Sequence, residues 1–174
     1  MSKLQDDLRQ QGLPKDCTTV VNLAGATIGD PKYKQEVRSS RIETTKTLAN
    51  LVRTSEGDKK VFICASAIGY YPPSDKRVYS EDSIVDSSSA KAEFFAKLCY
   101  DWEEAGDLGK DCKHRHVIVR TGIVLGKGGG IIKNLYWPFW FGLGGPFGSG
   151  SQPFPWVHLH DVVGVYMYAM FNKH

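Results

Sequence analysis

The stretch Thr18-Thr-Val-Val-Asn-Leu-Ala-Gly25 decides the fold class of this 174-residue chain. Its first six residues are apolar or β-branched apart from Asn22. Such a nearly continuous run predicts a strand buried on both faces, as in a parallel sheet. Residues 61–65 and 116–120 form two further short apolar runs. We therefore expect three buried strands, which end near residues 23, 65 and 120.

Helical patterns separate these strands. Between residues 31 and 53 apolar positions recur about every 3.6 residues. They are Ile42, Thr45, Leu48, Ala49, Leu51 and Val52. Residues 94–105 carry a second stripe. Its members are Phe94, Phe95, Leu98, Cys99, Trp102 and Ala105. A strand over 156–159 and a helix that Asp161 caps follow. Strands alternating with helices predict a doubly wound α/β fold, a Rossmann-like parallel sheet with helices on both faces.

The composition is that of one ordinary domain, taken here as residues 1–174, because 41% hydrophobic and 24% charged residues favour neither disorder nor a membrane protein. The net charge of +3 is dispersed, which argues against a nucleic-acid surface. No apolar run approaches the roughly 18 residues of a membrane span, and no signal peptide begins the chain. Four cysteines without CxxC or zinc spacing favour a reducing compartment. We expect an intracellular, most simply cytoplasmic, protein with a small-molecule partner and no nucleic-acid or membrane partner; an organelle stays open.

Ligands of doubly wound sheets bind outside the carboxyl ends of the strands. Those ends read Asn22-Leu-Ala-Gly-Ala26, Ala65-Ser-Ala-Ile-Gly-Tyr-Tyr71 and Arg120-Thr-Gly-Ile-Val-Leu-Gly126, with Pro155-Trp-Val-His-Leu-His-Asp161 later. Their order and spacing resemble extended short-chain dehydrogenase/reductases of the nucleotide-sugar epimerase type, and most closely the atypical subgroup called epimerase family proteins. The resemblance runs over residues 12–170 and implies an NAD(P)-binding Rossmann-like domain.

The resemblance also implies a cofactor site for NADP, with NAD as the open alternative. The positions that it implies as contacts are Leu23, Ala24, Glu36, Arg41 and Val124. Taken by themselves, small residues at Ala24 and Gly25 let the backbone approach a flat dinucleotide, although tight packing is the alternative. Glu36 and Arg41, without the resemblance, are solvated helix residues.

The catalytic residues that the resemblance implies are incomplete. Ser66 matches the Ser/Thr that hydrogen-bonds the reacting oxygen of the substrate, with a turn-capping serine as the alternative. The Tyr and Lys that should follow four residues apart on the next helix fall on Phe95 and Cys99, which cannot transfer the proton. A phenol of the loop, Tyr70 or Tyr71, is the remaining candidate acid.

Two glycine-rich runs imitate phosphate-binding loops. Residues 142–148 reproduce a GxxGxxG spacing, and residues 126–130 are nearly all glycine. Neither lies between a buried first strand and a helix as such a loop requires. We expect residues 126–160 to contain a glycine- and aromatic-rich loop that leads toward the substrate side.

His158, His160 and Asp161 suggest two other sites. The histidines alternate on a strand and could bind a metal with Asp161, but no further ligand cluster is evident, so no metal is predicted. A hydrolase of Ser66, His158 and Asp161 lacks the glycines of a nucleophile elbow.

The glycine fingerprint of the family is absent from this sequence. In the family about 30 residues of strand, helix and strand precede the turn at Asn22. Here only residues 1–17 precede it, and a substrate domain beyond His174 is also expected to be missing. The sequence thus favours a cofactor-impaired piece of an NADP-dependent oxidoreductase or epimerase-like protein. A catalytically inactive nucleotide- or protein-binding module is the alternative.

Overall fold

A computed structural model describes residues 3–27, 34–74, 77–83, 94–146 and 148–172. The fold divides into two compact units, Met1–Arg120 and Thr121–His174. The first unit contains three strands with helices between them, and the second contains two short strands and two helices.

The first unit is built on a three-stranded sheet. Its elements are α1 (Lys3–Gln11), β1 (Thr19–Asn22), α2 (Lys34–Arg53), β2 (Val61–Ala67), a 3₁₀ turn (Ile68–Tyr70), α3 (Phe94–Ala105) and β3 (Arg115–Thr121). The strand order is β1-β2-β3. β1 and β2 pair in parallel from Thr19 opposite Val61 to Asn22 opposite Cys64. The predicted parallel α/β arrangement is confirmed, because an α-helical crossover joins these two strands.

The core of this unit lies between β1, β2 and α2. Its buried apolar cluster consists of Val20, Leu48, Ala49, Val52, Phe62, Cys64 and Leu108. Phe62 and Val52 are completely buried. Full burial of such a side chain stabilises the fold by about 1.5–3 kcal/mol. The apolar runs that predicted β1 and β2 are therefore core residues of the sheet.

The buried faces of the two long helices differ from the prediction in detail. On α2, Ile42 and Leu51 are only partly buried, whereas Arg41 is buried. On α3, the buried residues include Leu98, Cys99 and Trp102, but the Phe95 side chain is 45% exposed. Phe95 shares the face of Leu98, Cys99 and Trp102, but it lies in the first turn of α3, at the end of the buried stripe.

The second unit contains β4 (Ile123–Leu125), α4 (Gly130–Trp140), β5 (Trp156–His158) and α5 (Leu159–Phe171). β4 and β5 pair in parallel. Residues 130–140 form α4, a helix that was not predicted from the sequence, although Pro138 lies inside it. Pro138 has no backbone N–H, so α4 lacks one helical hydrogen bond in its last turn. The rings of Tyr136 and Trp140 stack four residues apart, a spacing that supports a helix.

α5 begins two residues earlier than predicted. Its N-cap is His158, whose Nδ1 accepts a hydrogen bond of 3.2 Å from the backbone N–H of His160. Asp161 lies in the first turn instead. A carboxylate there still interacts favourably with the helix dipole. The prediction that Asp161 caps this helix is therefore wrong.

Two findings bear on the general class of the protein. All four cysteines, Cys17, Cys64, Cys99 and Cys112, are free thiols. Within the described ranges, no helix has both the length and the apolar character needed to cross a membrane.

Candidate functional site at the strand ends of the first unit

The segment that follows β1 is held by side chains on both sides. The Asn22 side-chain oxygen accepts a hydrogen bond of 3.1 Å from the backbone N–H of Ala24. Further along, the Ser40 hydroxyl of α2 accepts a hydrogen bond of 2.9 Å from the N–H of Ala26, and Arg41 Nη1 donates one of 3.0 Å to the carbonyl of Ala26. Hydrogen bonds to three side chains thus hold the backbone of the strand end at Ala24 and Ala26.

Arg41 is the unusual member of this site. Its side chain is 8% exposed, and burial lowers the pKa of its guanidinium. Arg41 also donates a hydrogen bond of 3.1 Å to the carbonyl of Val37, and its Cζ lies 5.3 Å from the centre of the Trp102 ring. Its buried Nε has no hydrogen-bond partner, and no ion pair joins it to a carboxylate of the described residues. A buried cation without an anion is costly, so the site is suited to an anionic ligand.

The predicted cofactor contacts at this end differ in exposure, and Gly25 lies against Arg41. Leu23 presents an apolar side chain that is 65% exposed. A Cβ built on Gly25 would come within 2.7 Å of Arg41 Cζ, so packing against the guanidinium itself requires this glycine. Ala24 is partly buried, whereas Glu36 lies exposed in the first turn of α2. The view of Arg41 as a solvated helix residue is therefore wrong, because its guanidinium is buried against Gly25.

A second polar group connects the ends of β2 and β3. Ser66 lies inside β2, is 3% exposed and donates a hydrogen bond of 2.6 Å to Glu103 Oε1 of α3. Arg120 at the end of β3 forms a bidentate ion pair with the same carboxylate. Its Nε lies 2.8 Å from Oε1, and its Nη2 lies 2.7 Å from Oε2. Hydrogen bonding to Glu103 raises the pKa of Arg120, which stays charged. Ser66 is therefore buried within β2 and engaged with Glu103.

Arg120 also holds the two tyrosines that follow β2. Its Nη1 donates a hydrogen bond of 2.6 Å to the Tyr71 hydroxyl, and its Cζ lies 3.9 Å from the centre of the Tyr70 ring. Tyr71 in turn donates 3.1 Å to the carbonyl of Ser80. Burial raises the pKa of Tyr70 although Arg120 opposes the shift. Tyr70 thus keeps its proton near neutral pH and can act as a donor but not as a base.

The positions of the missing Tyr and Lys lie beside this tyrosine turn. A Cβ built on Gly69 would come within 3.6 Å of Phe95 Cβ and 3.7 Å of Cys99 Sγ. Burial raises the pKa of the Cys99 thiol to about 11, so it is neutral. Phe95 and Cys99 therefore supply neither a proton nor a positive charge at the positions where the resemblance implies an acid and a cation.

In the second unit Val124 is the central residue of β4 and pairs with Val157. The rings of His158 and His160 contact each other edge to face, with centroids 4.9 Å apart. Among the residues that the structure describes, no group of three or more His, Cys, Asp or Glu side chains is arranged to hold a metal ion.

Sequence reasoning did not identify Glu103 and Arg120 as a pair. Arg120 is the last residue of a predicted strand, and Glu103 follows Trp102 on the helix before it. A charged residue at the end of an apolar strand is the signal that could have indicated a partner, because a buried charge needs one.

Comparison with known proteins identifies relatives over nearly the whole chain. The epimerase family protein SDR39U1 of Bos taurus is 41% identical over 97% of this chain, and that of Homo sapiens is 39% identical over 97%. An epimerase family protein of Staphylococcus aureus is 33% identical over 92%. No protein-family model matches the chain. The chain spans only 58%, 58% and 53% of the length of these three relatives.

Solved structures agree with this relationship. The crystal structure of human epimerase family protein SDR39U1 (isoform 2) with NADPH gives a TM-score of 0.88 at 39% identity, over 98% of this chain and 58% of that one. A nucleoside-diphosphate sugar epimerase of Corynebacterium glutamicum gives 0.74 at 32% identity, over 90% and 32%. MoeE5, solved with UDP-glucose and NAD, gives 0.74 at 21% identity over 99% and 56%, a likeness of fold alone. The predicted resemblance and fold class are thus confirmed: in the part that it shares with these relatives, the chain is similar to epimerase family proteins and has a Rossmann-like fold.

Proposed function

We propose that this chain forms the nicotinamide-dinucleotide-binding part of an NADP-dependent oxidoreductase or epimerase-like protein. The observation that carries the proposal is Arg41, a buried guanidinium at the end of β1 with no carboxylate partner among the described residues. The human relative was solved with NADPH, and structures that are similar in fold alone were solved with NAD. The proposal extends to the cofactor and the class of reaction, and not to a substrate.

The residues at this strand end fit a dinucleotide. The Arg41 guanidinium donates from Nη1 to two backbone carbonyls and has no carboxylate partner among the described residues, and a phosphate oxygen is an acceptor of the charge and size that a guanidinium binds best. Leu23 offers an exposed apolar surface to a flat ring. Gly25 and Ala24 keep the intervening backbone free of bulk. A bound nicotinamide dinucleotide supplies the hydride acceptor or donor of a redox step.

The chain's own residues would bind and orient, and one of them could hold a proton. Arg41 fixes a phosphate, and Leu23 contacts a ring. Tyr70, protonated and stacked on Arg120, is the available proton donor next to the turn that follows β2. Glu36 and Val124 remain predicted cofactor contacts, and Ser66 remains a predicted contact of the reacting oxygen.

A second function is favoured by three observations. Phe95 and Cys99 replace the acid and the cation, and the Ser66 hydroxyl donates its hydrogen bond to Glu103. A fold that binds a nucleotide without turning it over would keep Arg41 and lose these groups. In that case the chain is a nucleotide- or protein-binding module.

Titration with NADPH and with NADH, followed by cofactor fluorescence, tests the proposal. We expect tighter binding of NADPH. Arg41→Leu should raise its Kd by about 10- to 100-fold, because one charge-assisted hydrogen bond is worth about 1.5–3 kcal/mol. Arg38→Leu is the matched control, since Arg38 lies on the same helix but pairs with Asp101. Its Kd should change less than about twofold. If the wild-type chain binds neither nucleotide, the proposal fails.

Turnover separates the two candidate functions. A chain that binds NADPH should oxidise it with at least one member of a panel of carbonyl compounds if it is an enzyme, and Tyr70→Phe should then lower the rate by about 100-fold. Tyr79→Phe removes a nearby phenol that stacks on Tyr71 and should not lower it. Binding without oxidation of the cofactor by any carbonyl compound favours the module.

A further inference from the structure

A buried chain of hydrogen bonds links α3 to the strand end at Leu23. The Trp102 indole N–H donates a hydrogen bond of 2.9 Å to Thr45 Oγ1, and the Asn22 side-chain N–H donates one of 2.7 Å to the same oxygen. Asn22 Oδ1 then accepts the N–H of Ala24 at 3.1 Å. Thr45, Asn22 and Trp102 are 0%, 2% and 7% exposed, so water does not compete for these groups.

The direction of each bond in this chain is fixed by chemistry. The backbone N–H of Ala24 can only donate, so the oxygen of the Asn22 amide must face it. The amide N–H of Asn22 must therefore face Thr45, whose oxygen accepts two bonds at once. The orientation of the Asn22 amide, and with it the turn at Ala24, depends on the acceptor that Thr45 supplies.

Packing also fixes Thr45. A Cβ built on Gly106 would lie 3.3 Å from the Thr45 methyl group. The methyl group is thus directed toward the end of α3, while the hydroxyl is directed toward Asn22 and Trp102. Trp102 in addition lies under the Arg41 guanidinium, which binds the carbonyl of Ala26. Both ends of the segment 22–26 are connected to the same indole ring.

We propose that Thr45 and Trp102 are positioning residues for cofactor binding: through Asn22 and Arg41 they hold residues 23–26 in the conformation that receives the dinucleotide. The effect on cofactor binding rests on the proposed function. The conformation of residues 23–26 can be measured without a cofactor. Neither residue needs to touch the ligand. Their contribution is that the segment is ordered before the nucleotide arrives, which lowers the entropic cost of binding.

Amide hydrogen exchange of residues 22–27, measured by mass spectrometry on the full chain without nucleotide, tests the held conformation. Thr45→Val keeps the shape and removes the acceptor, and it should speed exchange in this segment by about tenfold. Thr45→Ser restores the oxygen and should return exchange to the wild-type rate. Thr47→Val is the matched control, because Thr47 is buried on the same helix but bonds only locally, to the carbonyl of Glu43 at 2.9 Å.

Trp102→Phe is a second variant in case Thr45→Val does not fold. It keeps an aromatic ring under Arg41 and removes the indole N–H, so exchange should rise by a few-fold. The proposal is overturned if Thr45→Val exchanges no faster than Thr47→Val over residues 22–27, or if Thr45→Ser is as fast as Thr45→Val. With Thr45→Val unfolded, an unchanged rate in Trp102→Phe overturns it.

NADPH titration of the same variants tests the consequence. Thr45→Val should raise Kd by about five- to tenfold, Thr45→Ser should restore it, and Thr47→Val should leave it unchanged. A purely structural role would lower the melting temperature without moving Kd in the folded protein, and that outcome overturns the positioning role. If the wild-type chain binds no NADPH, the proposed function fails, while the exchange rates still decide whether Thr45 holds the segment.

Discussion

The guanidinium of Arg41 occupies the space that a side chain at Gly25 would need. A Cβ there would lie 2.7 Å from Cζ and 2.9 Å from Nη2 of Arg41. The glycine therefore permits a buried cation next to the strand end, rather than only a close approach of the backbone to a ligand. The packing of Gly25 against Arg41 thus fixes where the guanidinium lies at the strand end.

Gly25→Ala should consequently displace Arg41. The guanidinium is held by the carbonyls of Ala26 and Val37, so its movement breaks hydrogen bonds as well as packing. We expect a loss of about 1–3 kcal/mol in the free energy of unfolding, measured by urea denaturation, and a Kd for NADPH about tenfold higher. Gly57→Ala serves as a comparison for glycine replacement itself. The φ of 83° at Gly57 would strain an alanine, but no atom lies within 4 Å of the Cβ that it would add. It should destabilise the fold without changing Kd.

The ion pair of Glu103 and Arg120 should contribute more to stability than the exposed pairs of α3. Glu103→Gln removes the charge that faces Arg120, whose side chain is 19% exposed. We expect the free energy of unfolding to fall by about 1–3 kcal/mol, less than for a fully buried pair because some water reaches it. Asp101→Asn, which loses its contacts with Arg38 and Lys97, should cost no more than about 0.5 kcal/mol. Equal losses in the two variants would contradict this ranking.

How much of the fold could be predicted depended on whether the signal was local. β1 and β2 were predicted because runs such as Val20-Val21 and Phe62-Ile63-Cys64 have no polar face, and that pattern alone indicates a buried strand. Helix α4 was not predicted, because Gly128–Gly130 and Pro138 indicate a loop when they are considered residue by residue. The stacked rings of Tyr136 and Trp140 that accompany the helix become visible only in three dimensions.

The strand ends could be predicted from the sequence, but not the contacts made there. Because ligands bind at the carboxyl ends of parallel strands, the sequence directs attention to the residues that follow Leu23 and Ala65, and a ligand contact of Leu23 or Ser66, which the resemblance implies, stays a prediction. The burial of Arg41 could not be foreseen, because its partners are the carbonyl of Ala26, fifteen residues earlier in the chain, and the ring of Trp102. The engagement of Ser66 with Glu103 likewise depends on a contact across 37 residues.

The four thiols should differ in reactivity under native conditions. Burial raises the pKa of Cys64 to about 12 and that of Cys99 to about 11, so both stay protonated at pH 8. Cys17 and Cys112 are only partly buried. We expect iodoacetamide at pH 8 to modify these two first, with Cys64 and Cys99 at least about tenfold slower, as measured by peptide mass spectrometry. In denaturant all four should react at similar rates, and fast native labelling of Cys64 would show that β2 opens readily.

His116 should make the fold less stable in acid. Its ring stacks on Phe62 at 5.4 Å, and its buried Nε2 has no hydrogen-bond partner. Burial lowers its pKa below 6.5, although the carboxylates of Asp107 and Glu103 oppose the shift. The unfolded chain therefore binds a proton at a pH where the folded chain does not, and the free energy of unfolding falls as the pH drops below about 6.5. His116→Phe keeps the stacked ring and removes the titration, so urea midpoints between pH 7 and pH 5 should decline less steeply in this variant. An identical decline in both proteins would mean that carboxylates elsewhere, and not His116, set the acid limit of the fold.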